Sequence, residues 1–331
     1  MDQNKNVLAF VEVVDGKPVN VGLESLTAAR TLVEGTDEKV VAVLIGSGLD
    51  DAAAKVAASG VDKVVVVDNA AYAAFALDAF TNVLEQLIKK CNPAYVLAGN
   101  TPLTKGLLPS LAAAFKSGNV ADVMSIKKDG GKIAWATPRF GGTVIASEVI
   151  EKSPIQFATI RPGAFEKPAT AAKAASIEKE SIAVAADALR TKILEAVKEM
   201  TEDVNIEDAD IIVTGGRGMG TPENFKLVEK LAEVLGGVVG ATRPAIEENW
   251  APRSRQVGQS GKIVTPKLYI ACGVSGATQH VSGMSSSKYI VAINKDEEAP
   301  IFNVANVGIV GDAMKILPVM IEELKKVKAE A

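Results

Sequence analysis

The chain has 331 residues, 48% of them hydrophobic and 23% charged, with a formal net charge of −4. That length points to two domains with ample core material, and the slightly acidic balance leaves neither a basic stripe for nucleic acid nor a polybasic patch for a membrane surface. One histidine and two distant cysteines, Cys91 and Cys272, provide no metal-ligand spacing and read as small buried thiols in a reduced compartment.

The opening MDQNKNVLAFVEV lacks a charged segment leading into an apolar one and is too acidic for a transit peptide. No apolar run approaches the roughly 20 residues of a membrane span. A bacterial cytoplasmic protein is therefore expected.

In chain order, short apolar runs at Val7–Val13, Val40–Ile45, Val64–Val67 and Tyr95–Ala98 alternate with Ala-rich helical segments at 52–59 and 70–89. This is the pattern of a buried parallel sheet covered on both faces, hence an α/β domain. A hairpin is expected at Ile126–Ile133, with further strands in 133–150 and 155–161 that extend the first sheet or form a small antiparallel lobe. From about 166 to 206 the chain turns Ala, Glu and Lys rich, with one helix expected near 186–200. The division is set there, with an N-terminal domain over 1–202 and a C-terminal domain over 203–331. The second domain repeats the alternation: Ile211–Val213, a helix over 222–235, Val238–Ala241, Leu268–Cys272, Tyr289–Ile293, Ile301–Val304 and a closing helix from Asp312. The fold class is α/β, two mostly parallel sheets flanked by helices, the second Rossmann-like.

In such sheets ligands sit beyond the carboxyl ends of the strands, so the loops after each strand are the places to search. After Ile211–Val213 comes TGGRGMGTPENF, with Arg217 projecting from a glycine turn, Thr221 as helix N-cap and Pro222 at the first helical position. It is not a dinucleotide fingerprint, because Thr221 stands where a third glycine is needed. The next loops carry Thr242 and Arg243, and then Gln259, Ser260 and Gly261 among cationic neighbours. After Leu268–Cys272, Ser275 and Gly276 open a helix whose free N–H groups face an anion, with His280 one turn in. Asn294 and Asp312 suit an Asx turn and a helix N-cap.

Each loop alone reads as an ordinary turn or surface segment at least as readily as a ligand site; their exit from one sheet edge favours a bound ligand. No nucleophile, acid–base pair or metal cluster accompanies them, so the chemistry is expected to belong to a cofactor. In the first domain, Gly99–Gly106 is read as a strand-to-helix turn, since GxxxxGK[ST] is not met.

At QVGQSGKIVTPKLYIACGVSGATQHVSGM, IVAINKDEEAPIFNVANVGIVGD and TGGRGMGTPENFKLVEKLAEVLGGVVGATRPA, the sequence resembles the α subunit of electron transfer flavoproteins, over the whole second domain; SGNVADV at 117–123 extends this more diffusely into the first. The resemblance implies a heterodimer with a β subunit, one FAD in this chain, and AMP or a second FAD in the partner. It also implies a mobile FAD domain.

It assigns Arg217 to the glycine loop and Thr242 with Arg243 to the isoalloxazine. Val257, Gly258, Gln259 and Ser260 fall at the flavin edge, and Ser275, Gly276, Ala277, Thr278, Gln279 and His280 between pyrophosphate and flavin. Asn294, Asp312 and Ala313 fall at the adenosine end. The family often has serine at Thr242 and threonine at Ser260, and both exchanges keep a hydroxyl. Arg243, Ser260 and His280 are expected to tune the flavin, His280 as a donor to its N1–C2=O end, where a donor or cation favours the reduced, charged form. The expected function is electron carriage between dehydrogenases of the acyl-CoA type, as in fatty acid β-oxidation, and an acceptor. A bifurcating variant oxidising NADH and reducing ferredoxin or flavodoxin is carried by Arg161-Pro-Gly163 and Thr242-Arg-Pro244. The alternative is a self-contained nucleotide-dependent α/β enzyme.

Overall fold

The computed structural model describes residues 6–183, 189–191, 193 and 206–330, and the chain divides into two compact units, Met1–Glu199 and Met200–Ala331. The first unit contains β1 (Val7–Phe10), β2 (Val13–Val14), β3 (Lys17–Pro18), α1 (Asn20–Val33), β4 (Val40–Gly46), α2 (Asp50–Ala57), β5 (Lys63–Asp68), α3 (Leu77–Cys91), β6 (Tyr95–Gly99) and α4 (Thr104–Ala114). It continues with β7 (Gly118–Val123), β8 (Ser125–Asp129), β9 (Lys132–Arg139), β10 (Val144–Val149), β11 (Gln156–Ile160) and β12 (Ser176–Lys179). Seven strands form one parallel sheet in the order β12-β5-β4-β1-β6-β11-β7, while β10-β9-β8 form an antiparallel sheet and β2-β3 a two-stranded ribbon.

The Val/Ile/Leu runs form strands because both sheet faces are covered. Val7, Ala9 and Val11 face the α1–α2 side, and Leu8 and Phe10 face α3 and α4. The Ile126–Ile133 hairpin is present as β8–β9, and the region after Ser117 does both things expected of it: β7 and β11 extend the main sheet, and β8, β9 and β10 make the antiparallel one. The 70–89 segment is a short 3-10 turn, Ala70–Tyr72, followed by α3. Part of the expected connection belongs to the first sheet, since β12 pairs in parallel with β5. Of the helix expected near 186–200 only residues 189–191 and 193 are described. There Arg190 N, Thr191 N and Thr191 Oγ1 donate to the Asp78 carboxylate at 2.6, 2.7 and 2.8 Å rather than along a helix.

At the carboxyl edge of this sheet two motif stretches meet. Asp122, in SGNVADV, has a left-handed backbone (φ 65°) beside the register shift between β7 and β11. Its carboxylate accepts from Arg161 Nη1 at 2.8 Å and from Asn100 Nδ2 at 2.7 Å, and its N–H donates to Thr159 Oγ1 at 3.0 Å. Arg161 is thus one half of a largely buried ion pair.

The second unit contains β13 (Ile211–Gly215), α5 (Pro222–Leu235), β14 (Val238–Ala241), α6 (Arg243–Glu247), β15 (Leu268–Cys272), α7 (Thr278–Val281), β16 (Ile290–Asn294), β17 (Val307–Val310) and α8 (Ala313–Glu330). Its five strands are all parallel, in the order β14-β13-β15-β16-β17. On one face α5 and α8 pack over Val213, Ile270, Cys272 and Ile293. The other face is covered by loops, with Val257, Val264, Val274, Met284 and Ile301 over Ile212, Tyr269 and Ala271.

One expected strand is corrected. In place of the strand Ile301–Val304 stands a 3-10 turn, Pro300–Asn303, capped by Val304, and the edge strand is Val307–Val310. Pro300 starts the turn with its fixed φ, and Ile301 N donates to Ser275 O at 3.0 Å, so this run braces a neighbouring loop instead of joining the ladder.

Candidate functional site

Because all five strands run parallel, their carboxyl ends share one edge, and the connections reverse direction between β13 and β15. Ligands bind outside the carboxyl ends at such a reversal. Here the two loops are zipped to each other: Gly216 N donates to Cys272 O at 2.9 Å and Gly218 N to Gly273 O at 3.0 Å. A Cβ on Gly216 would stand 2.4 Å from Gly273 O, so glycine is required for one backbone to approach another. The floor is closed by main chain, and Arg217 is exposed above it. Thr221 caps α5 as expected, accepting from Asn224 N at 3.2 Å.

The remaining loops continue this row. Thr242 N donates to Gly215 O at 3.1 Å, and Val257 N to Ala241 O at 3.0 Å. Gln259 N donates to Gln279 O at 2.7 Å, and Gln256 Nε2 to Ser260 Oγ at 3.0 Å. Asn294 Nδ2 donates to Val274 O at 2.8 Å while its Oδ1 accepts from Asp296 N at 3.0 Å, and Gly311 N donates to Asn294 O at 2.9 Å. Asp312 caps α8, accepting from Met314 N at 3.0 Å, with Ala313 buried behind it. The expected site residues thus lie on neighbouring loops of one edge, and Asn294 and Asp312 also perform the Asx-turn and N-cap tasks.

The anion-facing helix is corrected in extent. Thr278–Val281 is a single turn, and Ser275–Ala277 precede it as irregular backbone with Gly276 at φ 88°. Four residues carry little macrodipole, so the useful donors are the N–H groups themselves. Among the described residues, those of Ser275, Gly276, Ala277, Thr278 and Gln279 have no acceptor in the protein.

Nearby, the Thr242 hydroxyl is buried without a partner, an orphan of the kind a bound ligand satisfies. Arg243 is exposed and paired with Glu247 at 2.7 Å, a surface pair worth at most about 1 kcal/mol that yields easily to a ligand. The donor set is two exposed arginines, hydroxyls and a run of free N–H groups. It fits an elongated cofactor with an anionic centre and an oxygen-edged ring, as FAD is.

His280 is the exception to this outward posture. It is buried, with Nδ1 3.1 Å from Val257 O and Nε2 3.0 Å from the Tyr269 hydroxyl. Burial lowers its pKa to about 4, against the smaller opposing effect of the Val257 bond. A ring nitrogen reaches outward as a donor only by giving up one of these bonds. Tyr269, which sequence reasoning passed over, is the partner that no side-chain pattern announces.

A histidine held neutral while the unfolded chain can protonate contributes stability that is whole above about pH 6.5 and declines as pH falls towards 4. At 1.36 kcal/mol per unit the full loss is about 3 kcal/mol. Denaturant unfolding at pH 7 and pH 4 should show this difference in the wild-type chain and lose most of it in His280→Gln.

In the first unit the Gly99–Gly106 loop is a turn: Thr101 N donates to Thr104 Oγ1 at 2.9 Å and Thr101 Oγ1 to Glu12 at 2.5 Å, so its hydroxyls are spent locally. Among the described residues no group of three or more His, Cys, Asp or Glu could hold a metal ion, and no helix is long and apolar enough to cross a membrane.

The fold and this edge define a parallel-sheet domain that binds a nucleotide-containing redox cofactor. Residues 205–285 match the electron transfer flavoprotein FAD-binding domain, and residues 7–186 match the electron transfer flavoprotein domain. The electron transfer flavoprotein subunit alpha of Thermoanaerobacterium thermosaccharolyticum is 41% identical, covering 99% of this chain and 100% of the relative. That of Bacillus subtilis is 41% identical, covering 97% and 98%. The lactate dehydrogenase (NAD(+),ferredoxin) subunit LctC of Acetobacterium woodii is 34% identical over 95% of this chain and 75% of its own length. The chain belongs to the electron transfer flavoprotein α-subunit family, and its second unit is that family's FAD-binding domain.

Proposed function

We propose that this chain works in a heterodimer with a β subunit, taking electrons from a dehydrogenase of the acyl-CoA type and passing them to an acceptor. The observation that carries this reading is the convergence of exposed, unspent donors on one edge of the FAD-binding domain with no nucleophile or acid–base pair among them. FAD, when bound, supplies reversible transfer of one or two electrons. The chain's own work is to hold and tune it.

The N–H groups of Ser275–Gln279 and the Arg217 turn take the diphosphate; Asn294, Asp312 and Ala313 take the adenosine end. The Thr242 hydroxyl, Arg243 and the Val257–Ser260 stretch border the ring. Arg243 adds a cation, which favours the reduced and more negative form, and Ser260 adds a hydroxyl. Arg243→Ala should lower the first one-electron potential by on the order of 60 mV, a tenfold change, with FAD retained and with Arg243→Lys closer to wild type. An unchanged potential would remove Arg243 from this role.

A second variant is favoured by the Acetobacterium woodii relative, whose name includes NAD(+) and ferredoxin. In it the β subunit holds another FAD, and the pair oxidises NADH and divides the electrons between the dehydrogenase and ferredoxin or flavodoxin. The alternative partner holds AMP and the pair carries electrons singly. Two flavins per αβ pair with bleaching by NADH would establish the first; one flavin and no response to NADH would establish the second.

A further inference from the structure

Successive residues of β15 face opposite sides of the sheet. Ile270 and Cys272 join the core under α5 and α8, whereas Tyr269 and Ala271 join the loop-covered side with Val257, Val274 and Met284. Tyr269 is fully buried, yet its hydroxyl meets His280 Nε2 at 3.0 Å. The opposite ring nitrogen, Nδ1, meets the Val257 carbonyl at 3.1 Å. A carbonyl oxygen only accepts, so Nδ1 carries the proton. In a neutral ring Nε2 is then bare and accepts from the tyrosine O–H.

The chain of bonds ends at Val257, where the stretch bordering the proposed flavin ring begins. That stretch is tied again to the histidine's own turn by Gln259 N to Gln279 O at 2.7 Å. We infer that Tyr269 is a positioning residue: the Val257 carbonyl keeps the proton on Nδ1, the tyrosine O–H engages the remaining nitrogen, Nε2, and so holds the ring, and the histidine in turn holds the Val257–Ser260 stretch in place beside FAD. The inference rests on the FAD reading for its consequence, while the bond itself stands on this chain alone. His280 therefore acts on the flavin through a neutral, oriented ring and a seated loop, not as a free cation. A phenylalanine would fill the same volume in β15 and leave Nε2 without its donor.

The test uses the full chain, loaded with FAD and purified with its partner subunit, and reads the imidazole nitrogens by 15N NMR. This chain has one histidine, so the signal lost in His280→Gln identifies it. The wild type is expected to show a protonated Nδ1 and a bare, hydrogen-bonded Nε2. Tyr269→Phe should keep the proton on Nδ1 and lose the hydrogen-bonded signature of Nε2, with a shifted first one-electron potential at unchanged FAD content. A wild-type proton on Nε2, or a Tyr269→Phe variant with the wild-type Nε2 shift and potential, would overturn the inference. Should Tyr269→Phe fail to fold, the wild-type Nε2 shift still decides, since a bare Nε2 without a hydrogen bond overturns the inference. A chain without flavin would contradict the FAD reading separately, since the same spectrum can be recorded on the flavin-free protein.

Discussion

Gly276→Ala is expected to leave the chain unable to retain FAD and to destabilise its second unit by about 4 kcal/mol. Gly276 sits at φ 88°, where an L side chain is strained, and a Cβ there would stand 2.2 Å from Ile301 N and 2.5 Å from its Cα. Those are backbone atoms, so no rotamer change relieves the collision. Ile301 N is also the donor to Ser275 O at 3.0 Å, and moving it unties the loop whose N–H groups await the diphosphate. Flavin content after gel filtration and the thermal midpoint of the flavin-free chain report the two effects separately. Retention of FAD at the wild-type level would remove the 275–279 segment from the site.

The second large effect belongs to the first unit. Arg161→Ala strands the Asp122 carboxylate, whose side chain is 24% exposed, with Asn100 Nδ2 as its remaining side-chain donor. Removing one partner of a buried ion pair typically costs 3–5 kcal/mol, and about 4 kcal/mol is expected in denaturant unfolding. Replacing both partners, as Asp122→Asn with Arg161→Leu, should recover a substantial part, because no charge is then left unpaired. Equal losses in the single and double variants would assign the effect to lost packing instead.

Much of the second unit was legible because its boundaries carry local chemistry. Thr221 and Pro222 start α5 and Gly236, left-handed at φ 69°, stops it; the bounded apolar runs VVGA and LYIAC become β14 and β15 as expected. The misses have physical causes. Pro300-Ile-Phe-Asn is apolar enough for a strand, but the proline and the Ile301–Ser275 bond turn it into a brace, while the edge strand Val307–Val310 is exposed and lacks a pattern. Helix α1 was overlooked because buried Gly22, Glu24 and Ser25 interrupt its apolar stripe, and its preceding residue, Val19, offers no side-chain cap. Strand β12, SIEK, is a polar edge segment recruited by pairing with β5.

The site divides along the same line. Its loops could be found because the connections following parallel strands must share an edge, while the individual cofactor contacts were expected from the family resemblance. The use of those residues was less visible. Gly216 admits a neighbouring loop before any ligand, and His280 spends both ring nitrogens on a backbone carbonyl and on Tyr269, eleven residues earlier. A carbonyl partner leaves no mark on side-chain pattern, and a tyrosine in an apolar strand reads as core.

The central claim is that this chain holds one FAD and uses it to carry electrons. Stepwise reduction of the full chain, purified with its partner subunit, with flavin quantified and the visible spectrum recorded at each addition, tests it most directly. The account predicts FAD bound to this chain and reduced in two resolved one-electron steps, the first shifted downward by Arg243→Ala. A colourless chain, or a flavin that takes both electrons in a single step unaffected by Arg243, would contradict it.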